Sequence, residues 1–235
     1  MKSIICSMLF CAFAVAGAQQ KPVVVVELFT SEGCSSCPPA DKLLSSIISQ
    51  QPAGVEVYGL SFHVDYWNYL GWKDPYAQKE FSERQRNYAF RLFSSVYTPQ
   101  MVVNGRHRFV GSDREAWANA LNEEKSANDV LILKASVMHR DRKKITIRTT
   151  DLGPSTILNL AIVEEYESQP VIRGENRGRT LGHHNVVKSF SSEKSKDKSI
   201  FSVTVPDDLG ENARLIVYTQ DPKSWKILQA SQIML

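Results

Sequence analysis

The sequence predicts an α/β domain built on a mixed sheet in the order β-α-β-α-β-β-α, followed by an all-β sandwich. Three observations carry this reading. "KPVVVVELFT" and "VEVYGLSFHV" are apolar runs of strand length separated by an amphipathic helical stretch, the pattern of a right-handed parallel β-α-β unit. "TPQMVVNGRHRFVGS" reads as a hairpin around Asn104-Gly105. From Asp129 onward helical periodicity gives way to seven short strand-like stretches separated by turn residues.

The first strand is a β-branched run with apolar residues on both faces, as a strand covered on both sides requires. Leu43, Leu44, Ile47 and Ile48 then recur at helical spacing, which predicts a helix from Asp41 to Ser49, ended by "QPAG". The second strand follows over 55–64. Asp74 and Pro75 have the character of an N-cap and a first helical position, and Ala77, Phe81, Tyr88 and Leu92 extend that helix to about Ser94. After the hairpin, Ser112 with Glu115 forms a capping box for a last helix through Trp117 and Leu121. The seven later strands fall at 130–137, 143–150, 156–166, 185–190, 199–205, 213–219 and 226–233.

The chain has 235 residues, 43% of them hydrophobic, enough for real cores. Basic residues exceed acidic ones by three and the two signs are interspersed, so no basic stripe suits nucleic acid. "MKSIICSMLFCAFAVAGA" combines a lysine, a short apolar run and the small-residue exit Ala16-Gly17-Ala18, the marks of a secretory signal cut near Ala18. The expected layout is a signal at 1–18, the α/β domain at 19–126 and the β domain at 127–235, with a periplasmic or otherwise secreted product and no stable membrane insertion.

Signal removal takes away Cys6 and Cys11 and leaves Cys34 and Cys37 as the only thiols. Three positions apart at a strand-to-helix junction, they lie close enough to close a small disulfide ring. A helix start, with unpaired N–H groups and about half a positive charge, favours a thiolate there. Cys34 is accordingly expected as nucleophile and Cys37 as resolving thiol, with Ser35 and Ser36 able to donate hydrogen bonds to the thiolate. Two other readings stand beside this one. A structural zinc site needs four ligands and finds no second cysteine pair, and an inert staple gains little from so short a loop.

"VVELFTSEGCSSC" resembles the strand-loop-CxxC opening of glutaredoxins and other thioredoxin-fold proteins, and "TPQMVVNGRHRFVGSD" resembles their proline loop and closing hairpin. Together with "FHVDYW", "GWKDP" and "RGENRGRTLGHHNVV", these segments resemble a family of exported bacterial thioredoxin-like proteins, a domain of unknown function, over nearly the whole mature chain. The resemblance implies a cis bond before Pro99, with Thr98 aligning a partner chain next to Cys34, and an acidic residue under the active site, Glu27, relaying protons to Cys37. Ser-Ser between the cysteines departs from the dipeptides of familiar oxidoreductases and leaves the direction of exchange open.

Two further stretches stand out. "HVDYWNYLGWKDP" concentrates aromatic residues, Trp67 among them, after the second strand, where they form either a substrate wall or packing for the sheet. The roughly seventeen residues from 169 to 185 form a long loop in which Arg173, Glu175, Asn176, Arg177, His183 and His184 are placed to cover Cys34 as a lid or clamp, or to form their own ion network. The expected function is thiol-disulfide exchange with a protein or small-thiol substrate through a Cys34–Cys37 disulfide, with no dissociable cofactor and no metal. A non-catalytic partner-binding scaffold and metal handling by the CxxC are the alternatives.

Overall fold

A computed structural model describes residues 21–153, 155–196 and 198–235, so the expected signal lies outside the described residues. The chain is mixed α/β: one large mixed sheet carries the helices, and a small antiparallel sheet packs on part of it. The first half runs β1 (Val23–Thr30), α1 (Pro38–Ser49), β2 (Glu56–His63), a single 3₁₀ turn, α2 (Lys79–Arg91), β3 (Gln100–Val103), β4 (His107–Val110) and α3 (Arg114–Ala127). β1 pairs in parallel with β2 and antiparallel with β3, which pairs with β4. Asn104 and Gly105 both take positive φ, as a two-residue turn matched to strand twist requires.

β1 is buried along its whole length because its faces enter different cores. Val24, Val26 and Leu28 meet α1 and α3 through Ala40, Leu43, Leu44, Ile47 and Trp117. Val23, Val25 and Phe29 face the other way, into a core that Phe62, Phe81 and Tyr88 share with Val163, Val187, Tyr218 and Trp225 from the second half.

The second half consists of β5 (Leu131–Ile132), β6 (Ala135–Arg140), β7 (Lys144–Thr149), β8 (Ile157–Pro170), β9 (Thr180–Lys194), β10 (Ile200–Thr204), β11 (Arg214–Gln220) and β12 (Ile227–Met234). It differs from the expected separate sandwich. The large sheet runs in the order β4-β3-β1-β2-β9-β8-β11-β12-β5, so both halves share it, and only β10-β7-β6 forms a second sheet. β9 joins beside β2 through Ser61 and Val186, reinforced by Asn185 Nδ2 donating to the Gly59 carbonyl at 2.9 Å. This covers what would otherwise be an open, apolar edge. The second sheet packs on β8 and β11 over Ile145, Ile147, Leu160, Phe201 and Leu215, a sandwich-like layer within one continuous architecture.

Other boundaries also move. β8 and β9 pair out to Pro170 and Thr180, which shortens the expected seventeen-residue loop to residues 171–179 at the tip of a long hairpin. α2 begins at Lys79 rather than Pro75, because Asp74 is drawn into a buried hydrogen-bond cluster instead of capping a helix. Asp113, not Ser112, caps α3 by accepting from the Ala116 N–H.

Candidate functional site

β1 ends at Thr30, and the next seven residues make two tight turns into α1. Cys34 N–H donates to the Ser31 carbonyl at 3.1 Å, Cys37 N–H to the Cys34 carbonyl at 3.2 Å, and Ala40 and Asp41 N–H both reach the Cys37 carbonyl. Cys37, not Cys34, is the N-cap of α1, and Cys34 lies one turn outside it. The helix's positive end is therefore directed at Cys37 first. Pro38 and Pro39 occupy the opening positions of α1, where the lost N–H groups have no helical partner to miss.

Cys34 and Cys37 are joined in a disulfide with Cα atoms 5.4 Å apart, and both are fully buried. Ser35 and Ser36 between them are exposed, and the Ser36 hydroxyl lies 3.3 Å from Cys34 Sγ. Gly33 does not sit in the left-handed region. Its lack of a side chain matters because a Cβ there would stand 2.9 Å from Trp67 Cβ. Trp67 in turn donates its indole N–H to Thr98 Oγ1 at 2.7 Å, and the Thr98-Pro99 bond is cis. Pro99 packs with Ala40 of α1 around Gly111, where an added Cβ would meet both. Thr98, Pro99, Trp67 and the cysteine turn thus form one contact group, in which Trp67 is packed in place.

The hairpin tip closes the other side. Asn176 is fully buried and donates its amide to two carbonyls at once, Glu32 O at 2.8 Å and Cys34 O at 2.9 Å, while Arg179 holds its Oδ1 at 2.8 Å. Glu175 accepts the Ser35 N–H at 3.0 Å, and the Ser35 hydroxyl, then this N–H, keep its carboxyl below the usual range. Arg173 is exposed and, among the described residues, hydrogen-bonds nothing on the cysteine turn.

Glu27 is placed differently from the relay position the resemblance implied. It shares its face of β1 with Val25 and Phe29, away from α1, and Arg84 of α2 holds it through two bonds of 2.6 and 2.8 Å, with Tyr88 donating a third. Among the described residues no hydrogen bond joins it to Cys37. Burial works against the Arg84 charge, but Glu27 beside it raises the guanidinium's pKa further still.

Acid-base groups near the disulfide come from other residues. Glu32 is fully buried and accepts from Trp72 Nε1 and Gln169 Nε2, each at 2.8 Å. His183 of β9 places Nε2 3.3 Å from Glu32 Oε1 and Nδ1 3.6 Å from Asp41 Oδ1 of α1, the second distance being too long for a hydrogen bond. Its ring meets that of His63 edge to face at 4.6 Å, and His63 bonds Asp74 at 2.7 Å. Burial pushes His183 down, but Asp41 and then Glu32 outweigh it and raise the imidazole to about 10. Burial likewise opposes the Asp74 charge, yet His63 and the N–H groups of Glu32 and Tyr76 hold its carboxyl low. Sequence reasoning named His183 but not Glu32 or Asp41. The available signal was an acid on each side of the CxxC, two residues before Cys34 and four after Cys37. Among the described residues no three His, Cys, Asp or Glu side chains converge as a metal site, and no helix is long and apolar enough to cross a membrane.

Comparison with known proteins places this geometry in a family. The model of the family described as "Protein of unknown function (DUF1223)" matches residues 25–220, and the chain belongs to that family. A crystal structure of a protein from Agrobacterium tumefaciens is 29% identical, with a TM-score of 0.69 over 92% of this chain and 96% of that one. HBP35 of Porphyromonas gingivalis shares the fold at 15% identity, with a TM-score of 0.59 over 92% of this chain and 76% of that one. No curated protein matches the chain.

Proposed function

Starting from membership of the DUF1223 family, we propose that this protein is an exported thiol-disulfide oxidoreductase on a thioredoxin-like domain, with Cys34 and Cys37 as its redox pair. The observation that carries the reading is the disulfide at the start of α1 with the Thr98-Pro99 segment packed in the same contact group. A substrate thiolate attacks Cys34 Sγ, the bond between substrate and Cys34 forms, and the Cys34–Cys37 bond breaks with its electron pair left on Cys37. A second substrate thiolate then displaces Cys34, which releases an oxidised substrate and the reduced pair. Run backwards, the same steps reduce a disulfide, and the reduction potential sets which way they go. The exchange needs no dissociable cofactor and no metal.

Cys34 is fully buried and the 171–179 tip is bonded to the backbone of its turn, so on this reading a substrate is admitted by the tip lifting. Glu175 and Asn176 act as the latch of that lid, and Thr98 and Pro99 align the partner chain once it is open. The same burial favours a second reading, a partner-binding scaffold in which the disulfide is only a staple. Two variants separate them. Cys34→Ser should abolish exchange with a disulfide substrate, and Cys37→Ser should accumulate a mixed disulfide on Cys34. If both variants behave as the wild type, the oxidoreductase reading is lost and the scaffold reading stands.

A further inference from the structure

The carboxylates closest in sequence to the disulfide are Glu32, two residues before Cys34, and Asp41, one helical turn after Cys37. Both are buried, and the cation set between them is His183 from β9. We infer that His183 is a positioning residue for the Cys34–Cys37 couple, its charge offsetting the two carboxylates that flank the cysteines along the chain and so setting how readily Cys37 leaves as a thiolate. The inference rests on the oxidoreductase reading and deepens it by naming the group that tunes the pair.

Distance and wiring support this. Asp41 N–H donates to the Cys37 carbonyl at 3.1 Å, and residues four apart on a helix have Cβ atoms about 5–6 Å apart. The backbone carbonyls of Glu32 and Cys34 share one Asn176 amide, so the residue that carries the second carboxylate is held in the same turn as Cys34. His183 Nδ1 and Asp41 Oδ1 face each other and, among the described residues, neither atom has a hydrogen-bond partner, which leaves a charge contact that a change on Cys37 can bias. Other charges near His183 are partnered or peripheral. Asp74 is taken up by His63 and two backbone N–H groups, and Tyr76, whose ring packs at 6.1 Å, donates to Glu167. His184 follows on the same strand. Lys42 and Arg179 flank a crevice of about 90 Å³ that opens beside Asp41, with room for a few waters.

When a substrate thiolate attacks Cys34, the departing electron pair puts a negative charge on Cys37, and that step neither consumes nor releases a proton. A cation within the cluster lowers the cost of this charge and an uncompensated carboxylate raises it. The two obvious substitutions therefore act in opposite directions. His183→Gln leaves two buried carboxylates unopposed and should raise the thiolate pKa of the reduced pair by about one unit, whereas Asp41→Asn should lower it by about as much.

The test is the pH dependence of iodoacetamide alkylation of the fully reduced protein, wild type and both variants. Opposite shifts are expected, and a merely structural role would shift both the same way or neither. A second measurement needs no substitution. Linkage requires the His183 ring, followed by NMR in the wild type, to titrate at higher pH in the reduced protein than in the disulfide form. Equal His183 titration in the two redox states, or shifts of the same sign in the two variants, would overturn the inference. Neither outcome touches the functional reading, which stands or falls on disulfide exchange by the wild type and its loss in Cys34→Ser.

Discussion

Replacing Glu27 with glutamine removes the charge facing Arg84 but keeps the side chain's volume and one acceptor. Arg84 is 4% exposed and Glu27 1%, and the two oxygens of Glu27 take both Arg84 bonds. The guanidinium also lies 4.9 Å from the Phe190 ring, 5.2 Å from Tyr88 and 5.3 Å from Trp225. These rings soften the loss of an anion without replacing it. Breaking one side of a buried pair typically costs about 3–5 kcal/mol, and the retained amide oxygen points to the lower end. Against a usual domain stability of about 5–15 kcal/mol this is a large fraction. In denaturant titrations the midpoint should fall with an unchanged slope, as for a loss of stability without a change in exposed surface. The transition should remain single, because Arg84 also bonds Gln220 of β11 and thus joins the two halves. The pH dependence of Cys34 and Cys37 alkylation should not move, since Glu27 lies on the face of β1 away from α1. Replacing both partners with apolar residues, Glu27→Leu with Arg84→Met, should restore much of the loss. A stability loss under about 1 kcal/mol, or a shifted thiol profile in Glu27→Gln, would refute this account of the pair.

Further predictions concern the lid, the turn and pH. Glu175→Ala with Asn176→Ala removes three hydrogen bonds that hold the hairpin tip down. At about 0.5–1.5 kcal/mol each, their loss should speed reduction of the disulfide by a small phosphine roughly tenfold or more, and an unchanged rate would remove the tip as a lid. Gly33→Ala sets a methyl against Trp67 and should cost about 1–3 kcal/mol while weakening the Trp67–Thr98 bond, both readable from thermal melts and tryptophan fluorescence. His183 is raised from 6.5 to about 10, so its contribution is whole below pH 6.5 and is lost as pH rises through about 10. At about 1.4 kcal/mol per unit this amounts to a few kcal/mol, and the alkaline fall in stability should flatten in His183→Gln. Glu124 acts in the other direction. Burial would raise it, but His107, Arg106 and Asn104 hold it at about 2 against an ordinary 4.5, so its contribution is present above 4.5 and lost as pH falls towards 2. Glu124→Gln should lower stability at neutral pH and reduce the acid sensitivity in that window.

Much of the first half was legible because its signals are local. Four valines in a row, an amphipathic stretch closed by "QPAG", and Asn-Gly between apolar runs each fix an element from neighbouring residues. The helix starts were less legible, because an aspartate before a proline looks the same whether it caps a helix or, like Asp74, reaches across to His63 and the Glu32 N–H. In the second half, alternation placed most of the strands but not their partners. Nothing in "NVVKSF" says that its sheet continues through β2, and the polar end of β8, Glu164 to Pro170, hid a hairpin arm that stays paired while projecting over the first half. The site divides in the same way. Cys34 and Cys37 announce themselves by spacing, whereas the charge cluster beside them depends on His183, 151 positions from Glu32, and the clasp of Asn176 on the Cys34 carbonyl spans 142. Glu27 shows the hazard of transferring a role by position alone, since an arginine on α2 had a prior claim on its carboxylate.

Redox activity of the Cys34–Cys37 pair is read directly by equilibrating the full chain across a graded series of reduced and oxidised glutathione, with free thiols counted at each step in the wild type and in Cys34→Ser. A reversible two-electron transition of the Cys34–Cys37 pair is expected in the wild type, together with turnover of a disulfide substrate that Cys34→Ser abolishes. A disulfide that stays closed across the series, or substrate turnover that survives in Cys34→Ser, would contradict the oxidoreductase reading.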